Sequence, residues 1–157
     1  MDEKVLFVEA VIDAPLAAVW QAWTTEAGAR SFFAPACKID LRPGGAYEMY
    51  FDLEAPLGSR GGEGCTILAV EGLKMLSFTW NAPPEFPAIR TQLTHVLLRF
   101  TEVDAGHTRV SLRQDGWGNS PEWQAVYRYF EGAWGQVVLP RLQQRFLAGP
   151  YQWQKTA

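Results

Sequence analysis

The stretch SLRQDGWGNSPEWQAVYRYFEGAWGQVVLPRLQQRFL, residues 111–147, decides the fold. It opens on strand-like alternation, turns over Gly116 and Gly118, and becomes one long helical pattern rich in aromatic side chains. Ser120 is a good N-cap, Pro121 suits a first helical position because its missing N–H has no partner there, and Glu122 favours the positive end of the helix dipole. From there to Leu147 a helix runs about 40 Å. Trp123, Val126, Tyr127, Phe130, Trp134, Val137, Val138, Leu142 and Phe146 recur at three- and four-residue steps, whereas Arg128, Glu131, Arg141, Gln143 and Gln144 lie elsewhere on the wheel. Most of so apolar a face must close a core. Pro140 sits inside the pattern, removes one backbone hydrogen bond and crowds the preceding turn, so a kink or irregular turn is expected near residues 136–140.

Working outward from that helix, the rest of the chain reads as strands. Val5, Phe7, Glu9 and Val11 alternate with Leu6, Val8, Ala10 and Ile12, apolar on nearly both sides, which suits a first strand packed on one face and partly covered on the other. Asp13-Ala14-Pro15 stops it. A short helix follows, with Val19, Trp20, Ala22 and Trp23 as its apolar stripe, and Thr24 or Thr25 can cap a second one that contains Glu26 and is limited by Gly28. Pro43-Gly44-Gly45, the glycines from Gly58 to Gly64, and Asp104-Ala105-Gly106 are turn signals. Between them Tyr47, Met49 and Phe51 alternate with Glu48, Tyr50 and Asp52. Leu76, Phe78 and Trp80 alternate with Ser77, Thr79 and Asn81. Thr94, Val96, Leu98 and Phe100 share one face, as do Val110, Leu112 and Gln114. The simplest topology is an antiparallel meander, with the proline-rich NAPPEFPAIR a loop that overhangs a pocket mouth.

Length and composition bound the function classes. The 157 residues, 48% apolar and 20% charged, fit a single domain spanning 1–157. A net charge of −3 without a run of like charges offers neither a phosphate-tracking groove nor a basic membrane face, so nucleic acid and membrane insertion are excluded as partners. No segment approaches the ~20 apolar residues of a membrane helix, and the start of the chain carries acids rather than a signal peptide. A cytoplasmic protein is expected. Cys37 and Cys65 have no metal-ligand spacing and read as small, reduced apolar side chains, with a disulfide as the minor alternative.

The ordered stretches IDAPLAAVWQAWT, DLRPGGAYEM, LKMLSFTWN, HTRVSLRQDGWG and GAWGQVVLPRL resemble a START-like domain of the SRPBCC superfamily, in the branch of the Activator of Hsp90 ATPase homologue 1-like family. Each motif is weak alone; the ordered set covers nearly the whole chain. The resemblance implies an α+β helix-grip fold, also called Bet v 1-like: a curved antiparallel sheet of about six to seven strands wrapped around a long C-terminal helix, with two short helices after the first strand. It also implies an apolar pocket between helix and sheet, entered between the short helices and the strand loops. One departure stands out, since Arg113-Gln114-Asp115 precedes Gly116-Trp117 where the branch often places a histidine.

The chemistry in the sequence is sparse. His95 falls on the outward strand face and His107 in a turn; neither an HExxH, a GxSxG nor a phosphate loop is present, and GSRGGEG reads as a hairpin loop. Glu48, Asp52, Glu54, Glu63 and Glu71 read as solvated carboxylates. No metal or cofactor is expected. Seven tryptophans, nine phenylalanines and five tyrosines on elements facing one centre point instead to an aromatic-lined cavity, ahead of the alternative of a tightly packed aromatic core with no usable void. Its candidate lining is Phe32, Phe33, Tyr47, Met49, Phe51, Phe78, Trp80, Gln114, Tyr127, Phe130 and Trp134. Gln114, continuing the inward series Val110 and Leu112, must be at a wet mouth, hydrogen-bonded to a neighbour such as Tyr47 or Tyr127, or waiting for a ligand's polar group. In the last case Gln114→Leu would leave folding intact.

Three functions follow from different classes. The leading one is a non-enzymatic binding domain for a small hydrophobic or aromatic molecule. The second, from the resemblance, is an Hsp90-type co-chaperone, against which stands the absence of the eukaryotic activator's additional N-terminal domain. The third is a cavity enzyme of the cyclase or hydrolase kind, against which stands the lack of an acid–base pair. A homodimer is compatible with each.

Overall fold

The computed structural model describes residues 4–153; the expected domain bounds of 1–157 extend past these at both ends. Strand β1 (Leu6–Ile12) leads into α1 (Leu16–Thr24) and α2 (Glu26–Arg30), followed by β2 (Ala36–Ile39), β3 (Tyr47–Tyr50), β4 (Ile67–Glu71) and β5 (Met75–Trp80). A one-turn helix α3 (Pro87–Arg90) precedes β6 (Thr94–Asp104) and β7 (His107–Asp115). The C-terminal helix comes in three parts: α4 (Pro121–Gly132), a π-helical segment (Ala133–Val138) and α5 (Leu139–Ala148).

The sheet order is β1-β7-β6-β5-β4, antiparallel throughout. The β2–β3 hairpin is a separate two-stranded pair. It continues the main sheet past β4 through single bridges, Ala46 to Thr66 and Tyr50 to Gly61. Seven strands thus form the curved surface expected, although the ladder is interrupted where the glycine-rich loop leaves it.

Register explains the core. Ile67, Phe78, Val96, Gln114 and Leu6 are successive cross-strand partners, so the period-two alternation of five strands points one row inward. All of them are buried, the glutamine included. On the outer side Phe7 and Val11 stay exposed, as expected of a half-covered strand. Val19, Ala22 and Trp23 of α1 and Ala29 of α2 pack into the same core, and the Thr25 hydroxyl caps α2 by accepting from the Gly28 N–H at 3.0 Å.

The long helix starts as its sequence predicts. Ser120 Oγ accepts from the Trp123 N–H, and Pro121 occupies the first turn. Its irregularity takes a definite form: the π-helical segment lets the Leu139 N–H reach back five residues to the Trp134 carbonyl, and Pro140 then falls in the first turn of α5, where no N–H is required. The wide turn also rotates Val137 off the buried stripe, leaving it 40% exposed. Two readings need correction. NAPPEFPAIR is not loop throughout, because Pro87 opens α3 with its fixed φ. Phe51 lies one residue past the end of β3, where the strand alternation no longer applies, and is 45% exposed rather than in the core.

Candidate functional site

Four buried rings from distant parts of the chain meet where the π-helical segment crosses the ends of the strands. Phe33 follows α2, Trp80 ends β5, Phe130 lies in the last turn of α4 and Trp134 lies in the π-helical turn. Trp134 lies 5.8 Å from Phe33, 5.7 Å from Trp80 and, nearly parallel, 6.2 Å from Phe130, centroid to centroid. These separations suit the edge-to-face and offset contacts that aromatic quadrupoles favour.

A buried polar chain fixes this floor. The Trp134 indole N–H donates to Gln114 Oε1 at 2.8 Å, Gln114 Nε2 donates to Thr94 Oγ1 at 2.9 Å, and the Thr94 hydroxyl donates to the Trp80 carbonyl at 3.1 Å. Gln114 and Thr94 are 0% and 2% exposed. The glutamine is therefore neither at a wet mouth nor bonded to Tyr47 or Tyr127; it ties the long helix to β6 and β7. Gln114→Leu would strand the Trp134 N–H, so the expectation of intact folding is revised to a loss of about 1–3 kcal/mol, the penalty of a buried unsatisfied group.

Above the floor lies an open cleft of about 470 Å³, walled by Phe33, Phe51, Trp80, Tyr129, Phe130, Trp134, Val137 and Arg141 among others. A second cleft of about 420 Å³ shares Phe51, Trp80, Tyr129 and Phe130 and continues over a polar wall that includes Asp52, Arg60, Asn81, Glu85 and Arg90. Burial, with the Glu85 charge adding to it, raises the Tyr129 hydroxyl above its ordinary pKa, so it stays a neutral donor.

The polar wall is built by a pairing that the sequence does not advertise. Arg90, on α3, donates to the carbonyls of Ala82, Gly58 and Gly61 and meets Glu63 Oε1 at 3.2 Å. Glu63 in turn accepts from the backbone N–H groups of Gly58, Arg60 and Gly61. Burial pushes the Glu63 carboxyl up, but these N–H groups outweigh it and hold the group below its ordinary value. Glu63 is thus a loop-organising carboxylate rather than a solvated one. Gly61 is required because a Cβ there would sit 2.2 Å from the Met49 carbonyl oxygen. The clue was a lone acid inside a glycine cluster, but its arginine partner lies 27 residues away in sequence.

The other candidate residues are placed elsewhere. Phe32, Tyr47, Met49 and Phe78 are sealed in the core, the Tyr47 hydroxyl donating to the Trp23 carbonyl at 2.8 Å. Burial raises that phenol well above its ordinary pKa. Tyr127 lies on the β1 side of the helix, under the Lys4 ammonium at 3.8 Å, beside a different surface hollow. His95 and His107 face outward, next to Asp115 and to Asp104 with Asp13. Among the described residues no group of three His, Cys, Asp or Glu side chains is arranged to hold a metal ion, and no helix is long and apolar enough to cross a membrane. Among the described residues the walls of the larger cleft carry no carboxylate, imidazole or thiol, so its chemistry is stacking, apolar contact, the neutral Tyr129 hydroxyl and Gln136 amide, and one guanidinium.

Known proteins with this architecture are numerous. Protein MLL2253 from Mesorhizobium loti has 25% identity and a TM-score of 0.71 over 90% of this chain and 95% of its own. The Aha1 dimer from Colwellia psychrerythraea has 17% identity and a TM-score of 0.70 over 93% and 98%. PFC0360w, an Hsp90 activator from Plasmodium falciparum, has 15% identity and a TM-score of 0.66 over 94% and 97%. No curated protein sequence matches the chain. The family model described as Activator of Hsp90 ATPase homolog 1-like protein matches residues 13–146, from the turn after β1 to the last turns of α5, and the chain belongs to that family.

Proposed function

We propose that the protein binds a small hydrophobic or aromatic molecule in the cleft between the π-helical segment and the strand ends, without transforming it. The observation that carries this reading is an open, aromatic-floored cleft of about 470 Å³, within the ordinary range for small-molecule sites. A rigid floor supports it further, because the Gln114–Thr94 chain holds the Trp134 indole and ties down the Trp80 backbone before any ligand arrives. Its place is the surface mouth of the helix–sheet interface rather than the sealed centre. Two free thiols, Cys37 and Cys65, favour a reducing compartment such as the cytoplasm.

The test is saturable binding of uncharged phenylnaphthylamine with quenching of tryptophan emission. Val137→Trp, which fills the cleft from an exposed position, should abolish that binding and leave the melting temperature nearly unchanged. Binding that survives Val137→Trp would place the ligand elsewhere, and no saturable binding by the native protein would remove the reading.

A second reading is an Hsp90 partner, favoured by the printed descriptions of the Colwellia and Plasmodium neighbours. Stimulation of Hsp90 ATPase by the purified protein would support it. The Colwellia neighbour also makes a homodimer worth measuring by light scattering.

A further inference from the structure

Among the described residues the larger cleft has a single formally charged side chain in its wall, Arg141 of α5. Its guanidinium is held from behind by the segment that follows α5: the carbon lies 4.3 Å from the centre of the Tyr151 ring and 5.0 Å from that of Trp153. Those rings are themselves anchored. The Tyr151 N–H donates to the Ser31 carbonyl at 2.8 Å, the Trp153 indole N–H donates to the Arg30 carbonyl at 2.6 Å, and the rings meet edge-on at 4.5 Å. Stacking of this kind fixes the plane of a guanidinium while leaving N–H groups along its edge free to donate.

Those donors have little else to do. No ion pair among the described residues includes Arg141, and its one side-chain neighbour by hydrogen bond is the Tyr151 hydroxyl at 3.5 Å, at the long limit. The arginines of the adjoining cleft differ. Arg90 is consumed by three carbonyls and Glu63, and Arg60 donates to the Ala55 carbonyl. That adjoining wall carries Asp52 and Glu85 together with Arg60 and Arg90, so its formal charges cancel and Arg141 leaves the residues lining the two clefts with one net positive charge.

We infer that the cleft selects an amphipathic monoanion, with its ring or chain on Phe33, Phe51 and Trp134 and its carboxylate or sulfonate on Arg141. A forked guanidinium matches such a group with two parallel N–H donors, a stronger contact than a neutral hydrogen bond makes. This inference rests on the cleft being the ligand site.

The experiment compares two probes with one ring system, anionic anilinonaphthalene sulfonate and uncharged phenylnaphthylamine, on the native protein, Arg141→Gln and Arg141→Lys, each checked for an unchanged circular dichroism spectrum. The expected result is that Arg141→Gln weakens the anionic probe roughly tenfold, the scale of one charge-assisted contact, and leaves the neutral probe within about twofold. Arg141→Lys, which keeps the charge without the fork, should lose an intermediate amount. Equal weakening of both probes would make Arg141 a packing residue and overturn the inference, as would unchanged anionic binding. Should Arg141→Gln fail to fold, the lysine variant and a salt titration decide: an anionic probe insensitive to salt, or held equally by lysine, overturns the inference. Failure of both probes on the native protein removes the cleft reading itself, whereas binding of the neutral probe alone leaves that reading and removes only the anion.

Discussion

The rings of Tyr47 and Phe78 are fully buried and 4.4 Å apart, whereas Phe51 and Val137, on the other side of Trp80, stand 45% and 40% exposed over an open cleft. Both regions draw on the same kinds of side chain, so composition does not separate them. What differs is the backbone above each. The sealed region lies between regular strands and the short helices, whose apolar residues arrive at fixed spacing and fill it. The open one lies beneath the junction of α4 with the π-helical segment, where the turn widens and Gly132 and Ala133 project almost nothing. A Cβ added at Gly132 would meet no atom within 4 Å. Aromatic density thus makes a core or a cleft according to the regularity of the helix that covers it.

The sharpest way to break this comparison is to truncate one ring on each side. Phe78→Ala should lower the unfolding free energy by about 3–5 kcal/mol, the usual loss for a buried aromatic, in urea denaturation. Phe51→Ala, already half in water, should lose less than about 1 kcal/mol while weakening phenylnaphthylamine in the cleft. Equal losses would erase the distinction between the two regions.

A smaller effect is expected at the boundary between them, where the polar chain sits. Gln114→Leu should lose about 1–3 kcal/mol, and a double-mutant cycle with Trp134→Phe should show coupling, since each variant breaks the same hydrogen bond. Additive losses would mean that the helix is held to β7 by packing alone.

Smaller again, and of opposite sign, is the change at the open junction. Gly132 has φ −68° and ψ −45°, an ordinary helical conformation, so Gly132→Ala should gain about 0.5–1 kcal/mol by restricting the unfolded chain. A destabilised variant would mean that the junction is already tightly packed.

The smallest effect belongs to the polar wall and concerns pH. Glu63 has its folded pKa below the ordinary 4.5, so its contribution to stability is present above about pH 4.5 and is lost as pH falls through the folded value. Acid below about pH 4.5 should therefore loosen the loop from Gly58 to Gly64 next to Trp80, seen as a shift in tryptophan emission. Glu63→Gln should remove that acid dependence; a shift that persists in this variant would assign it to another carboxylate.

Local signals were enough for most of the fold. Pro15 and Thr25 start the short helices, Ser120-Pro121 starts the long one, and period-two alternation selects the inward rows of β5, β6 and β7. Each depends on backbone dihedrals and on partners a few residues away, and such interactions are written in sequence order. The site was less legible. Gln114 was recognisably inward, but its partners Thr94 and Trp134 are each 20 residues distant, and no periodicity names a hydrogen-bond partner across elements. The patterns that place Phe51 and Val137 on buried faces stop where β3 ends and where the helix widens.

The sequence by itself therefore determined the long helix, the two short helices after β1, the strands β1, β3, β5, β6 and β7, and the family whose ordered motifs the chain carries, but not β2, β4 or α3. Only the tertiary structure decided which apolar side chains are sealed and which border a cleft. The same holds for the pairing of Arg90 with Glu63 and for the orientation of Arg141 by Tyr151 and Trp153. The physical reason is one of range. Propensity and periodicity act within a few residues, but burial and electrostatic pairing depend on distances between elements, which exist only once the sheet has curved and the helix has closed over it.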